Sequence, residues 1–261
     1  MRIGIFDSGI GGLSVLHHAK KVMPEAEFVY YADEAHVPYG EKTEAQIREY
    51  IDEIIRFMLD RHVDAIVIAC NTATSVATKE YRSSFPVPII GMEPAVKQAK
   101  EMYADVPGRI LVAATPVTIA GDKLHHLLEK VDDEHNVDLI ALPQLVRFAE
   151  KGDFLTEDIR VYLTEQLKDY PVDEYKAFVL GCTHFNYFKA YYKEIFPEQV
   201  HYVDGNAGTV RQLQRKLAEI GVEESKEPGR TEYYFSGRPV TEKEMERVNV
   251  YMRQLDSLMF I

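Results

Sequence analysis

Short apolar runs alternate with amphipathic segments along most of the chain. Several of the runs are continuous in valine, isoleucine, leucine and alanine, as expected for strands that are buried on both faces. The pattern predicts strands at 3–6, 28–31, 65–69, 89–90, 110–114, 138–141, 177–180, 201–203 and 233–235. Because helical segments separate these strands, the sequence predicts an α/β protein with mainly parallel sheets.

The clearest helical segment covers 44–61. Its apolar residues recur at helical spacing on one stripe, and they are Ile47, Ile51, Ile54, Ile55, Met58 and Leu59. Thr43 and Gln46 form a capping-box pattern at its start. Near the end of the chain, a charged stretch with Pro-Gly at 223–230 predicts a linker before the last strand and a helix at 242–258.

Two pairs of similar segments recur in the same order at nearly the same spacing. RIGIFDSGIGG begins at Arg2 and RILVAATPVTIAG at Arg109, while AIVIACNTAT contains Cys70 and AFVLGCTHF contains Cys182. Any α/β chain offers some such pairs by chance, but the matching places of both cysteines favour a true repeat. We therefore predict two similar three-layer α/β domains with mainly parallel sheets facing a central cleft. The first covers 1–97 plus 209–261, and the second covers 98–208.

Composition and charge narrow the classes of function. The chain has 261 residues, with 30 lysines and arginines against 42 aspartates and glutamates, for a net charge of −12. Such an acidic chain is a poor binder of nucleic acid or anionic membranes. No apolar run approaches the roughly 18 residues of a membrane span, and Asp7 interrupts the first apolar run. We expect a cytoplasmic protein without nucleic-acid or membrane partners.

The chain has two cysteines. Two cysteines alone cannot form a zinc site, a disulfide scaffold or an iron–sulfur cluster, and thiols stay reduced in the cytoplasm. A single cysteine at a strand end is more often a small buried hydrophobe than a reactive group. Here Cys70 and Cys182 each follow a predicted strand and precede a threonine or Asn-Thr, and this match favours a chemical role.

Four loops follow predicted strands and combine polar groups with a helix start. They are Asp7-Ser8-Gly9, Cys70-Asn71-Thr72, Thr115-Pro116-Val117-Thr118 and Cys182-Thr183-His184. Ligands of open α/β sheets bind at the carboxyl ends of strands, and the N–H groups of helix N-termini suit a carboxylate or phosphate. The same field is expected to lower the pKa of a thiol placed there.

The glycines of DSGIGG do not form a dinucleotide fingerprint, because Ser14 stands where GxGxxG needs its last glycine. The phosphate-loop pattern GxxxxGK[ST] is absent as well. The glycines instead predict a tight turn and a close approach of the backbone to a small ligand.

Two thiols from two similar halves suit a reaction that inverts one stereocentre. Such a reaction needs a base on one face of the carbon and an acid on the other, and the two groups exchange roles in reverse. His184 could orient a substrate group near Cys182 or share a proton with it, and Asp7 could do the same near Cys70. A loop histidine without a chemical role, and an N-cap role for Asp7 or Ser8, are equally natural from the sequence. No cluster of His, Asp or Glu residues has metal-ligand spacing, so we expect no metal.

Five motifs together resemble the cofactor-independent glutamate racemases of the aspartate/glutamate racemase superfamily. They are DSGIGGL at 7–13, VPYG at 37–40, ACNTAT at 69–74, TPVT at 115–118 and GCTHF at 181–185. Each motif alone is unspecific, but the set in this order is highly specific. Residues 181–184 read GCTH and not a GCTE-like sequence. In this respect the chain resembles the glutamate branch of the superfamily and not the aspartate branch.

The resemblance implies catalysis by Cys70 and Cys182 on opposite faces of the glutamate Cα, assisted by Asp7 and His184. An E-x-G sequence at 150–152 matches part of a further family motif and makes Glu150 a candidate catalytic residue. The implied substrate-binding residues are Asp7, Ser8, Tyr39, Gly40, Asn71, Thr72, Thr74, Thr115, Thr118, Thr183 and His184. The resemblance also implies a homodimer that supplies D-glutamate for peptidoglycan without a cofactor or metal.

Three other functions remain open from the residues. The chain could be a racemase of aspartate or another small amino acid, or a two-lobed amino-acid-binding protein in which the cysteines only pack. It could also be an acyl-transfer enzyme that uses Cys182 with His184, in which case Cys70 would be dispensable.

Overall fold

A computed structural model describes residues 1–222 and 228–258. Most of the predicted linker, at 223–227, lies outside these described residues. The described strands are β1 (Arg2–Asp7), β2 (Glu27–Ala32), β3 (Ala65–Ile68), β4 (Ile89–Gly91), β5 (Arg109–Ala114), β6 (Val137–Ala141), β7 (Tyr175–Leu180), β8 (His201–Asp204), β9 (Thr231–Phe235) and β10 (Arg238–Pro239).

Helices connect most of these strands. The α-helices are α1 (Leu13–Val22), α2 (Glu44–Leu59), α3 (Asn71–Val76), α4 (Lys79–Arg82), α5 (Val96–Met102), α6 (Pro116–Ala120), α7 (Asp122–Val131), α8 (Pro143–Lys151), α9 (Glu157–Leu167), α10 (Lys189–Ile195), α11 (Asn206–Glu219) and α12 (Glu242–Ser257). Short 3-10 helices cover Ile10–Gly12, Tyr39–Glu41, Val172–Glu174 and Thr183–Phe188. In the described parts of the chain, no helix is long and apolar enough to cross a membrane.

The strands form two sheets. One has the order β10-β9-β2-β1-β3-β4, in which only the β9–β10 pairing is antiparallel, and the other is wholly parallel with the order β6-β5-β7-β8. This confirms the predicted α/β class with mainly parallel sheets. The order β2-β1-β3-β4 is the same as the order β6-β5-β7-β8, so the repeat seen in the sequence is also a repeat of strand order.

All the predicted strands are present, but β10 was not predicted. It has two residues and ends in proline, so it lacks the apolar alternation that marks a strand. It forms because Ser236 and Gly237 turn the chain with φ angles of 44° and 84°, a conformation that suits a tight hairpin and favours glycine.

Helix α2 begins as its capping box predicts. The backbone N–H of Gln46 donates to the Thr43 hydroxyl at 3.3 Å, and the Thr43 N–H donates to the Gln46 side chain at 3.0 Å. The helix ends at Leu59, two residues before the predicted end, and its buried residues are Ile47, Ile51, Ile54, Ile55 and Met58.

Buried strands fix the positions of the loops at their carboxyl ends. One apolar cluster includes Ile3 and Val67 of the first sheet together with Leu111 and Phe178 of the second. The carboxyl ends of β1, β3, β5 and β7 are thus anchored in packed interior, and the loops that follow them are short. Side chains on these loops can therefore hold a defined geometry.

Candidate active site

The loops that follow β1, β3, β5 and β7 contribute to one cavity. Its lining residues are Ser8, Pro38, Tyr39, Gly40, Cys70, Asn71, Thr72, Thr115, Val146, Cys182, Thr183 and His184. Both cysteines are free and buried. The cavity thus brings together thiols that follow strands of two different sheets, and no lysine or arginine is among its lining residues.

Cys70 follows β3 and caps the N-terminus of α3. Its sulfur accepts a hydrogen bond from the Ala73 N–H at 3.4 Å, and its thiol donates to the Ser8 hydroxyl at 3.7 Å. The expected lowering of the thiol pKa at a helix start is wrong for Cys70. Burial raises its pKa well above the usual range and the charge of Asp7 raises it further, which outweighs the Ala73 N–H. Cys70 is therefore a neutral thiol at pH 7.

Cys182 follows β7 on the other sheet, and the chain continues into the 3-10 helix Thr183–Phe188. The sulfur lies 3.6 Å from Nδ1 of His184, whose Nε2 lies 2.6 Å from Oε1 of Glu150. Burial opposes a charge on His184, but the hydrogen bonds with Cys182 and Glu150 outweigh it and raise its pKa well above the usual value. His184 is therefore an imidazolium beside the sulfur of Cys182.

Glu150 does not line the cavity but supports a residue that does. It lies in the last turn of α8, and its Oε1 accepts the Ile10 N–H at 2.9 Å as well as contacting His184. Burial would raise the pKa of Glu150, but the hydrogen bond with His184 and its charge outweigh burial and lower it. The carboxylate is thus ionised and paired.

Asp7 is fully buried at the end of β1, behind the lining residues. Its Oδ2 accepts the Gly12 N–H at 2.8 Å and lies 3.4 Å from the Thr183 hydroxyl across the cleft. Burial raises the pKa of Asp7, and the nearby His184 cation opposes this. Asp7 accepts the Gly12 N–H, but it is not an N-cap, because Gly9 precedes the 3-10 helix Ile10–Gly12 and Gly12 precedes α1. Asp7 also lies close enough to affect the pKa of Cys70.

The glycines after Asp7 allow a close approach, but to side chains of the second half. A Cβ atom on Gly9 would lie 2.0 Å from Oε1 of Glu150, and one on Gly11 would lie 2.6 Å from Nδ1 of His184. The sequence predicted close approach to a ligand. The glycine loop packs directly against Glu150 and His184, and the approach to a ligand stays a prediction.

Three threonine hydroxyls form a cluster beside the cavity. Those of Thr72 and Thr115 are 2.9 Å apart, and those of Thr115 and Thr118 are 3.0 Å apart. Thr72 and Thr115 line the cavity, while Thr118 lies behind them. Thr74 is not part of the lining, because its hydroxyl bonds to the Ile68 carbonyl at 3.3 Å and the Met92 N–H at 3.1 Å.

Tyr39 and Gly40 enter the cavity wall from the 3-10 helix Tyr39–Glu41. The Tyr39 hydroxyl donates to Oδ2 of Asp33 at 2.6 Å, and burial together with Asp33 raises the pKa of Tyr39. Asp33 was missed by the sequence reasoning. It is the first residue after β2, so the strand-end rule that selected Asp7 would have found it.

The cavity wall offers polar atoms to a ligand. Asn71 begins α3, and its buried side-chain oxygen has no hydrogen-bond partner among the described residues. Thr183 and Ser8 add hydroxyl groups from the other strand ends. Across residues 1–222 and 228–258, no group of three or more His, Cys, Asp or Glu side chains is placed to hold a metal ion.

Comparison with known proteins shows the family to which the chain belongs. The Asp/Glu/Hydantoin racemase family matches residues 14–213. A glutamate racemase from Lachnospira eligens is 46% identical, with 99% of each chain covered. Glutamate racemase 2 of Bacillus subtilis is 41% identical over 99% of this chain and 96% of its own. The Escherichia coli glutamate racemase, solved with L-glutamate and the activator UDP-MurNAc-Ala, superposes with a TM-score of 0.82 at 27% identity, covering 97% of this chain and 94% of that one.

The chain therefore belongs to the Asp/Glu/Hydantoin racemase family of isomerases. Within that family, its relatives over the full length of the chain are glutamate racemases, as the sequence motifs predicted.

Proposed function

We propose that this protein interconverts L- and D-glutamate by a two-base mechanism, with Cys70 and Cys182 on opposite faces of Cα. The observation that carries the proposal is the pair of free, buried cysteines that line one cavity from two different sheets. The full-length similarity to glutamate racemases supports glutamate as the substrate.

The proton states of the site set the order of events. The imidazolium of His184 stabilises a thiolate on Cys182, which removes the proton from Cα and becomes a thiol. The electron pair left on Cα is delocalised into the adjacent carboxylate. The neutral Cys70 thiol then delivers its proton to the opposite face and becomes a thiolate.

The reverse reaction needs Cys70 as the base. Its thiolate is favoured when Asp7 is neutral, because the charge of Asp7 raises the Cys70 pKa and burial raises the pKa of Asp7 itself. The Ala73 N–H and the Ser8 hydroxyl also stabilise a negative sulfur. An ionised Asp7 thus favours the Cys70 thiol and a neutral Asp7 permits its thiolate, so the protonation state of Asp7 acts on the Cys70 side while His184 acts on the Cys182 side.

Hydroxyl and amide groups hold the substrate in this proposal. Ser8, Asn71, Thr72, Thr115 and Thr183 line the cavity and offer hydrogen-bond donors to carboxylate oxygens. The start of α3 adds backbone N–H groups and the positive end of the helix dipole. An acidic substrate is thus compatible with a chain of net charge −12.

Purified protein incubated with each glutamate enantiomer in D₂O tests the proposal. We expect racemisation, followed by circular dichroism, together with entry of one deuterium at Cα and without any added cofactor. Turnover of aspartate but not glutamate would assign a different racemase. Glutamate binding without turnover would indicate a two-lobed binding protein, and a covalent acyl-enzyme would indicate acyl transfer by Cys182.

Replacing Glu150 with glutamine is expected to shift the alkaline limb of the pH profile of kcat. Glu150 raises the His184 pKa, so the neutral glutamine lowers it and His184 loses its proton at lower pH. The fall of kcat on the alkaline side should therefore begin at lower pH, with kcat near neutral pH reduced about 10-fold to 100-fold. Glu165→Gln is the matched control, because Glu165 pairs with Lys168 on the surface. An alkaline limb at the wild-type pH would contradict the role given to Glu150.

We further propose that the protein is a homodimer that supplies D-glutamate for peptidoglycan, as its membership among the glutamate racemases implies. The two-domain division at 1–97 plus 209–261 and 98–208 is part of the same proposal. The division is supported by the distribution of the strands, since β5 to β8 form one sheet and all other described strands form the other. Light scattering after size-exclusion chromatography tests the dimer, and a mass of 29.9 kDa would be that of a monomer.

A further inference from the structure

An arginine of the last described helix contacts Glu150, which in turn contacts His184 beside Cys182. Arg247 lies on α12, and its Nη2 donates to the backbone oxygen of Glu150 at 2.8 Å and lies 3.3 Å from Oε2 of the same residue. Its Nη1 donates to Oε1 of Glu34 at 2.6 Å. Arg247 thus bridges two carboxylates, one of which contacts His184.

The two oxygens of Glu150 face opposite partners. Oε1 receives the Ile10 N–H and contacts His184, whereas Oε2 lies toward the Arg247 guanidinium. A planar guanidinium that contacts both the carboxylate and the backbone oxygen of one residue restrains the rotation of that side chain. The direction of Oε1 toward His184 therefore depends on what holds Oε2.

We infer that Arg247 is a positioning residue for the racemase reaction, acting through Glu150 on the orientation of His184 beside Cys182. Arg247 is not among the residues that line the cavity, so its effect is indirect. The inference rests on the proposed function, because it assigns a role in proton transfer at Cys182.

A purely structural role for Arg247 is the competing explanation. The Glu150 carbonyl lies in the last turn of α8, where carbonyl groups lack partners within the helix. Tyr251 of α12 also donates to such a carbonyl, that of Ala149, at 2.5 Å. Both residues dock α12 on α8, but Arg247 alone of the two contacts the Glu150 carboxylate.

This difference provides a matched pair of variants, Arg247→Met and Tyr251→Phe. Both weaken the docking of α12, while only Arg247→Met removes the cation beside Oε2. The Arg247 charge contributes to lowering the pKa of Glu150, so its loss raises that pKa. The charged and titratable groups around Glu150 are His184, Asp7, Glu34, Arg247, Tyr30, Tyr187 and Tyr251.

The test is the pH profile of kcat for the full-length wild type, Arg247→Met, Arg247→Lys and Tyr251→Phe, with thermal unfolding of each. We expect Arg247→Met to lower kcat about 10-fold to 100-fold, as a displaced catalytic geometry does, with little change in KM. Its acid limb should move to higher pH, because Glu150 is protonated more easily. Arg247→Lys should return the acid limb to its wild-type pH. Tyr251→Phe should lower the unfolding temperature without moving the acid limb.

Each result distinguishes the inference from the function on which it rests. An inactive wild type would overturn the proposed function itself. An active wild type with equal acid limbs in Arg247→Met and Tyr251→Phe would leave the function in place and overturn the role of Arg247. If Arg247→Met does not fold, Arg247→Gln takes its place, because glutamine also removes the cation beside Oε2 of Glu150. An acid limb of Arg247→Gln equal to that of Tyr251→Phe and wild type would overturn the role of Arg247.

Discussion

Replacing either Cys70 or Cys182 with alanine is expected to reduce racemisation by about 100-fold to 10,000-fold, the usual contribution of a positioned acid or base. Inversion uses both thiols in every turnover, one as base and one as acid. The loss must also be equal in kcat/KM for both enantiomers, because the equilibrium constant between enantiomers is one. Circular dichroism with L- or D-glutamate as the starting substrate measures both directions.

The single-cysteine variants also distinguish the two faces of the substrate. In D₂O, Cys70→Ala keeps Cys182 and its His184 partner, so one enantiomer should exchange its Cα proton without inversion. Cys182→Ala should exchange the other enantiomer. The chain has two cysteines, so thiol titration of each variant confirms that one thiol remains.

Folding and binding controls are needed for both alanine variants. Each removed sulfur is buried, so the unfolding temperature and the binding of glutamate should be measured beside the rate. Loss of turnover with binding retained supports the two-base proposal. Near-normal racemisation by both variants would overturn it. Accumulation of a covalent acyl-enzyme by Cys70→Ala would favour acyl transfer by Cys182.

The strand-end rule explains why so much of the fold and site could be predicted. Continuous apolar runs located the strands, and the carboxyl ends of parallel strands lie on one edge of each sheet. Cys70 and Cys182 could therefore be placed near one cleft from the sequence alone. Their catalytic roles stay predictions, as do those of Asp7, His184 and Glu150.

Properties that depend on tertiary burial could not be read in the same way. A helix start lowers a thiol pKa in isolation, but Cys70 is so deeply buried beside Asp7 that its pKa rises. Thr74 lies in the expected motif, yet its hydroxyl is bound by backbone groups of Ile68 and Met92. No local sequence pattern marks Arg247 as a residue of the site, because its contact with Glu150 joins residues that are far apart in the chain.

Replacing Gly11 with alanine is also expected to reduce kcat strongly. A Cβ atom on Gly11 would lie 2.6 Å from both His184 Nδ1 and Thr183 Oγ1. These atoms cannot yield freely, because His184 is held by Glu150 and is only 2% exposed. Gly11→Ala should therefore displace the imidazole from Cys182 and lower kcat by roughly 100-fold, the usual cost of a shift of about 1 Å in a catalytic group.

Gly208→Ala is the matched control for this substitution. Gly208 lies in α11, and a Cβ there would meet its nearest neighbour, Gln98, at an ordinary contact distance of 3.5 Å. Alanine at such a helical position is expected to stabilise the protein by about 0.4–1 kcal/mol and to leave kcat unchanged. Steady-state kinetics and thermal unfolding of both variants give the comparison. A Gly11→Ala protein with wild-type kcat would show that His184 need not occupy its present position, and the role proposed for it beside Cys182 would then be wrong.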